Sequence, residues 1–167
     1  MDSMATPVGQ SRPQYSPTSL ADLEDWIKGS GLPMEQDRVE HFFSPGIYVR
    51  KLFIPAGRLI IGKRHRHETM NMVMLGHLSV YMGPEQGVIH LRPPAIFTSP
   101  PMTKKMGYAH EDTVFVNVHP TDERDLDRIE EEFIITEEDY NQLNHQEGER
   151  LCLGQQLSSE EQQLLGA

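Results

Sequence analysis

Residues 47–57 read IYVRKLFIPAG, a run of β-branched, aromatic and aliphatic side chains that ends at the turn-forming Pro55-Ala56-Gly57. This composition favours a β-strand closed by a turn. The same pattern recurs as far as Pro120, and the further predicted strands are 58–61, 70–75, 78–82, 87–91, 95–98 and 112–118. Many short strands separated by frequent turns predict an all-β core, either a sandwich or a barrel, with short flanking helices.

The segments on either side of the strands differ in composition. The predicted division is a flexible N-terminal arm at 1–18, a helix and lead-in at 19–45, the barrel at 46–120, an acidic helix at 121–135 and an acidic C-terminal tail at 136–167. The arm is rich in Pro, Ser, Thr and Gln and offers little apolar surface to bury. Ser19 and Thr121 are the predicted N-caps of the two helices.

Composition limits the class of protein. The chain has 167 residues, 37% of them hydrophobic, and a mean hydropathy of −0.51, which suits one soluble domain with polar extensions. It contains no apolar run long enough to span a bilayer and no pattern of a signal peptide, so a cytoplasmic location is predicted. With Cys152 as the single cysteine, an intrachain disulfide is excluded and a thiolate metal cluster is not expected.

Charge is distributed unevenly along the chain. The net charge is −10, yet residues 46–107 carry nine basic side chains against two acidic ones, so this segment is about +7 and the rest about −17. The distribution allows an anionic partner for the barrel. The alternative is that acidic flanking helices neutralise a basic barrel, within one molecule or between subunits.

A dense polar cluster, KRHRHE at 63–68, carries the main indication of function. In a regular strand His65 and His67 would point to the same face, which is half of a metal site. His110 lies on a later segment that a barrel could bring beside them. These three histidines are therefore the predicted ligands for one divalent metal, Fe, Mn, Ni or Zn.

Basic side chains near this cluster suggest a second kind of site. Arg66, Lys104 and Lys105 could receive a phosphate or carboxylate, and the Tyr108 hydroxyl could orient the bound molecule. Solvated lysines on an exposed loop are the alternative interpretation. Binding of nucleic acid is not expected, because the chain is acidic overall and has no basic tail.

The order of these elements resembles the cupin superfamily, whose fold is a double-stranded β-helix, a jelly-roll-like barrel. The resemblance covers about residues 40–120: Gly57, His65, His67 and Gly76 resemble its first motif, and Gly107 with His110 resembles its second. Several short segments, such as Pro55-Ala56-Gly57 and His119-Pro120-Thr121, resemble small single-domain cupins of tailed phages. That likeness implies a phage protein in the host cytoplasm and, because cupins often pair through outer strands, a homo-oligomer.

One departure from the cupin pattern bears on function. The glutamate that the first motif expects falls on Asn71 or Met72 when counted from His67, and on Thr69 when counted back from Gly76. A complete site of three histidines and one glutamate is therefore not expected. The only acid nearby, Glu68, would point away from the histidines in a regular strand.

Three functions follow from these observations. The favoured one is a small-molecule-binding cupin that holds an anionic ligand, such as a nucleotide or sugar derivative, in its barrel. The alternative is a metal-dependent cupin enzyme, of oxygenase or isomerase type, that uses the three histidines. A third is a phage structural or assembly protein that uses the barrel as a scaffold. Whether the protein is an enzyme is left open by the sequence, because the same fold supports unrelated activities.

Overall fold

A computed structural model describes residues 19–31, 38–83 and 85–146. The predicted arm at 1–18 and most of the predicted C-terminal tail lie outside these residues. The elements in chain order are α1 (Leu20–Gly29), β1 (Arg38–Ser44), β2 (Ile47–Ile54), β3 (Leu59–Ile61), β4 (Arg64–His65), β5 (Thr69–Leu75), β6 (Leu78–Tyr81), β7 (Val88–Leu91), β8 (Ala95–Ser99), β9 (Met106–Ala109), β10 (Thr113–His119), α2 (Leu126–Phe133) and β11 (Ile134–Ile135). A further helix, α3, comprises residues 137–146.

Two antiparallel sheets form the barrel. One has the strand order β1-β2-β10-β5-β8 and the other β3-β9-β6-β7. Between the two sheets the chain crosses from β2 to β3, from β3 by way of β4 to β5, from β5 to β6, from β7 to β8, from β8 to β9 and from β9 to β10. This strand order is that of a jelly roll built from two Greek keys, which is also the double-stranded β-helix of cupins. The predicted fold class is confirmed.

Side-chain alternation along the strands builds the interior. In β5, Thr69, Asn71 and Val73 are buried, whereas Met70 and Met74 between and beyond them are exposed. The apolar part of the core joins side chains of both sheets: Leu52, Ile54, Val73, Leu78, Val80, Met82, Ala109 and Phe115. The methionines of β5 therefore lie on the outer face of the larger sheet and not in the barrel.

The helix α2 packs against one end of the barrel. Its Ile129 and Phe133 are buried in a cluster with Tyr48 of β2, and Phe43 of β1 packs against them. Immediately after the helix, β11 pairs with β4. This pairing fixes α2 in place, so one helix face forms part of the barrel interior.

The acidic helices neutralise part of the basic segment within the same chain. Lys63 pairs with Glu130 of α2, and Glu137 of α3 receives both Arg64 at 3.0 Å and Lys104 at 2.9 Å. Such neutralisation by acidic flanking helices is the predicted alternative to an anionic partner. It accounts for the basic residues near α2 and α3, but not for Lys105.

The structure differs from the sequence-based expectation at several element boundaries. Within the predicted lead-in, residues 38–44 form β1, which pairs with β2 along its whole length. The predicted strands also omit β9. The N-cap of α2 is Asp125 and not Thr121, because the Asp125 carboxylate accepts from the backbone N–H groups of Asp127 and Arg128. The N-cap consequently lies four residues later than predicted.

The helix α1 belongs to a unit separate from the barrel. Its predicted N-cap is confirmed, since the Ser19 hydroxyl accepts a hydrogen bond from the backbone N–H of Asp22 at 3.1 Å. None of its side chains is buried. No helix in the described part of the chain is long and apolar enough to cross a membrane.

Gly76, between β5 and β6, occupies a position that excludes any side chain. Its φ is +88°, in the region that favours glycine, and a Cβ atom there would lie 2.3 Å from the backbone oxygen of Asp112. Gly57 has a similar φ of +78° but open space around it. Substitution of Gly57 therefore measures the cost of backbone strain alone, whereas substitution of Gly76 adds a steric clash.

We expect Gly76→Ala to lower the free energy of unfolding by more than about 2 kcal/mol, because strain of about 1 kcal/mol is joined by a clash with backbone that cannot move away freely. Gly57→Ala should cost about 1 kcal/mol from strain alone. Urea denaturation of both variants measures the difference. Equal losses in the two variants would contradict the close approach of Gly76 to Asp112.

Candidate functional site

A cavity of about 400 Å³ lies inside the barrel beneath α2. Volumes of this size are typical of sites for small molecules. Its polar lining residues are His41, Tyr48, Arg50, Lys63, His65, Lys105, Asn117, His119, Asp127 and Glu130, and its apolar ones include Val39, Leu52, Ile60, Phe115, Ile129 and Phe133. The lining thus combines basic and aromatic groups with an apolar wall, and its two carboxylates come from α2.

Lys105 is the buried cation of this cavity, and its side chain is held by neutral groups. The ammonium donates to Oδ1 of Asn71 at 3.0 Å and to the hydroxyl of Ser99 at 2.8 Å. The residue is only 9% exposed, and no carboxylate among the described residues forms an ion pair with it. Burial lowers the pKa of Lys105 to about 8, so the side chain is largely protonated at neutral pH.

Asn71 organises the polar groups around Lys105. Its Oδ1 also accepts from the Asn117 amide at 2.9 Å, and its own amide donates to the backbone oxygens of Thr69 and Phe97 and to Ser99. Asn71 is fully buried, at 0% exposure. Every polar atom of its side chain has a partner, as a buried amide requires.

Two histidines, His65 and His119, lie next to each other in the cavity, with ring centroids 5.3 Å apart. Burial, with the positive charges of Lys105 and Arg50 adding to it, lowers the pKa of His65 to about 3 and that of His119 to about 4. Both rings are therefore neutral at pH 7. The His65 Nδ1 atom is 2.7 Å from the Thr69 hydroxyl, which orients the ring.

Aromatic stacking connects the histidines to the neighbouring wall. Tyr48 stacks between Phe43 and His119, with centroid distances of 5.2 and 5.7 Å. Its hydroxyl forms a 2.8 Å hydrogen bond with Nδ1 of His41. Burial raises the pKa of Tyr48, so the phenol stays protonated and is available as a hydrogen-bond donor or acceptor.

The three histidines predicted as metal ligands are placed in different surroundings. His65 lines the cavity, whereas His67 follows the end of β4 and lies edge-on to Phe133 outside the lining. A regular strand through both residues would place His65 and His67 on one face, but β4 ends at His65. His110 stacks on His77 at 4.3 Å and shares the hydroxyl of Ser79 with His90. Among the described residues, the set of three with metal-ligand spacing is His77, His90 and His110.

Of the four residues predicted to bind an anion, Lys105 alone lines the cavity. The Arg66 Nε donates to the backbone oxygen of Ile134, and Lys104 pairs with Glu137. Tyr108 is 41% exposed on β9 and lies edge-on to His110. The ligand-binding role of Arg66, Lys104 and Tyr108 stays a prediction that the geometry does not favour.

Sequence reasoning missed Arg50, Asn117 and His119 as residues of the site. The strand patterns already contained the signal, because Arg50 lies two residues from Tyr48 and from Leu52, on the same strand face, and Asn117 shares a face with Phe115 and His119 in the same way. Polar side chains on the inward face of a strand indicate a lined cavity and not a closed apolar core.

The neutral histidines predict how stability depends on pH. His65 and His119 have folded-state pKa values of about 3 and 4, against about 6.5 in the unfolded chain. As pH falls below about 6.5 the unfolded state takes up protons first, so each group lowers the free energy of unfolding by about 1.4 kcal/mol per pH unit.

In urea denaturation between pH 7 and pH 4, we expect His119→Phe to show a shallower loss of stability than the unsubstituted protein. Phenylalanine keeps a stacked ring at this position but cannot bind a proton. The exposed His145→Gln variant should leave the pH dependence unchanged. If all three proteins lose stability equally, His119 is not a buried neutral imidazole.

No known protein-family model matches the sequence, and no curated protein matches it. Among solved structures, the chain is similar to a cupin-2 domain containing protein from Shewanella frigidimarina, at 14% identity over 57% of this chain and 90% of that chain, with a TM-score of 0.41. It is similar to KdgF from Halomonas sp. at 19% identity, over 55% and 82% of the chains, with a TM-score of 0.44. For ectoine synthase from P. lautus the identity is 12%, the coverages are 53% and 67%, and the TM-score is 0.46.

These values do not bear on substrate or chemistry, and the assignment of the fold is based on the strand order. The phage origin, the cytoplasmic location and the homo-oligomeric state stay predictions. The resemblance to cupins is confirmed at the level of the fold: the barrel of this chain is a double-stranded β-helix of the cupin type.

Proposed function

We propose that the barrel cavity binds a small anionic molecule, with Lys105 as its principal charged contact. The observation that carries this proposal is a buried ammonium group that lines a cavity and has no carboxylate partner among the described residues. An isolated buried charge is costly unless it is compensated, so a ligand carboxylate or phosphate would lower the free energy of this arrangement.

The hydrogen-bonding capacity of Lys105 supports the same conclusion. A lysine ammonium has three donors, and Asn71 and Ser99 accept two hydrogen bonds from it. A ligand oxygen in the cavity would receive the third. Such a charge-assisted hydrogen bond is shorter and stronger than a neutral one, more so where water is excluded.

The remaining polar groups complete an anion site. Arg50 lines the same cavity, and its charge lowers the pKa of both His65 and His119. Neutral imidazoles can donate or accept a hydrogen bond without opposing an anion. The carboxylates of the lining come from α2, where Glu130 is already paired with Lys63. With three basic side chains, Arg50, Lys63 and Lys105, against the carboxylates of Asp127 and Glu130, the lining carries a net positive charge.

The glutamate missing from the first cupin motif bears on the charge of this site. Asn71 occupies one of the positions where that pattern places a glutamate, and it faces the barrel interior beside Lys105. An amide there contributes no charge and uses all of its hydrogen-bonding atoms within the protein. Replacement of a carboxylate by an amide next to a lysine favours binding of an anion over binding of a cation.

The shape of the cavity constrains the ligand class. Leu52, Ile60 and Phe115 line it together with the basic groups. A ligand with one anionic group and an apolar or planar body of modest size fits such a lining. Mononucleotides, sugar phosphates and aromatic or branched carboxylates all belong to this class.

Lys105→Met tests the proposal, because methionine has a similar length but no charge. In a thermal-shift panel of AMP, glucose 6-phosphate, benzoate and citrate, we expect at least one anion to raise the Tm of the unsubstituted protein, and Lys105→Met to remove that shift. The variant should fold, since a neutral side chain replaces a desolvated charge. Lys51→Met, at a lysine paired with Glu40 on an outer strand face, is the matched control and should retain the shift.

The pH dependence of binding provides an independent test. Because the pKa of Lys105 is about 8 in the free protein, the affinity for an anion of constant charge should be level below pH 8. Above pH 8 it should fall, approaching a tenfold loss per pH unit. Titration calorimetry between pH 7 and pH 10 measures this. A constant affinity across that range, or no anion bound at all, would rule out Lys105 as the charged contact.

A further inference from the structure

Three histidines lie together on the outer side of the smaller sheet, away from the cavity lining. His90 is on β7, where Ile89 and Leu91 pack into the core and His90 is exposed between them. His77 directly precedes β6, and the exposed His110 directly follows β9. The strands β9, β6 and β7 are neighbours in that order, so the topology brings the three residues to one surface.

The three rings have the spacing of a metal site. One ligand nitrogen from each ring lies within 4.8 Å of the other two. The His77 and His110 rings stack at a centroid distance of 4.3 Å, and the His77 and His90 rings are 6.4 Å apart. The Ser79 hydroxyl connects the rings of His90 and His110, because it lies 2.8 Å from His90 Nδ1 and 2.6 Å from His110 Nε2.

We propose that His77, His90 and His110 form a surface site for a first-row divalent transition metal, with Zn²⁺ as the representative ion. Three imidazole nitrogens and an open position for water or for Ser79 match the tetrahedral coordination that Zn²⁺ adopts. Ni²⁺ and Cu²⁺ favour the same donors. This site is distinct from the anion cavity, and it shares only His110 with the ligand set predicted from the sequence.

Arg92 controls access to one of the three ligands. Its guanidinium donates to His77 Nδ1 at 3.0 Å and pairs with Glu111 at 3.0 Å. The same guanidinium occupies a ring nitrogen and repels a cation, so it competes with the metal.

A metal at this site would join three segments that are distant in sequence. It would connect the turn before β6, the strand β7 and the loop after β9, which includes Glu111. A ligand that binds only the folded state stabilises it by mass action. Bound Zn²⁺ should therefore raise the Tm in proportion to the logarithm of its concentration above Kd.

Titration calorimetry of the tag-free, full-length protein with ZnCl₂ at pH 7.5 tests the site. We expect one Zn²⁺ per chain, an affinity at least tenfold weaker in His90→Ala and in His110→Ala, and a tighter affinity in Arg92→Gln. His90 and His110 are exposed, so their replacement by alanine removes no core packing, and the metal-free Tm of each variant checks this directly. A second Zn²⁺ readout is the metal-dependent rise in Tm, which should vanish in the same two variants.

Two control variants make the test specific. His145→Ala removes an exposed histidine outside the cluster and should leave Zn²⁺ binding unchanged. His65→Ala should also leave it unchanged, because His65 belongs to the cavity. Binding retained in His90→Ala, binding lost in His65→Ala or the absence of stoichiometric binding would each overturn the proposal, and an unchanged affinity in Arg92→Gln would contradict the competition at His77. None of these results bears on anion binding by Lys105, so the two proposals fail separately.

Discussion

The buried side chain of Asn71 is the constraint on which the interior of this barrel depends. Its amide donates to two strand carbonyls and a serine, and its oxygen accepts from Lys105 and Asn117. An apolar residue there would leave the lysine with one fewer acceptor in a site with little access to water. A carboxylate would neutralise the lysine and place a negative oxygen against the strand carbonyls. The amide alone satisfies these groups and leaves the ammonium charge uncompensated.

Ion pairs within the chain connect basic residues of the barrel to acidic residues of the flanking helices. The basic residues at the rim of the barrel are paired with α2 and α3, with Glu137 receiving both Arg64 and Lys104. Arg64 also stacks over the ring of Tyr140, which holds α3 against the barrel. Intramolecular ion pairs with these helices therefore account for Lys63, Arg64 and Lys104. Lys105 differs from these three because it lines the cavity inside the barrel and its ammonium donates to the neutral groups of Asn71 and Ser99.

The sequence predicts the fold better than it predicts the site. Strands such as β2 combine β-branched residues with a closing Pro-Ala-Gly turn, so local preference and tertiary structure agree. β9 was missed because its four residues, MGYA, contain a glycine that fits against Ile60 of the neighbouring strand, which is a tertiary reason. The metal prediction assumed a regular strand from His65 to His67, but β4 ends at His65 where β11 pairs with it. Which face of a strand meets which neighbour depends on register, and composition does not specify register.

We infer that a protonated Lys105 makes the cavity a site for anions. The most direct measurement is the pKa of its ammonium group by NMR titration of the lysine ¹³Cε resonance, assigned with Lys105→Met, in the absence and presence of the anion that gives the largest thermal shift. We expect a pKa of about 8 for Lys105 in the free protein and a clear rise in this pKa when the anion binds. A pKa near that of a solvated lysine, or a value that the anion does not change, would contradict it.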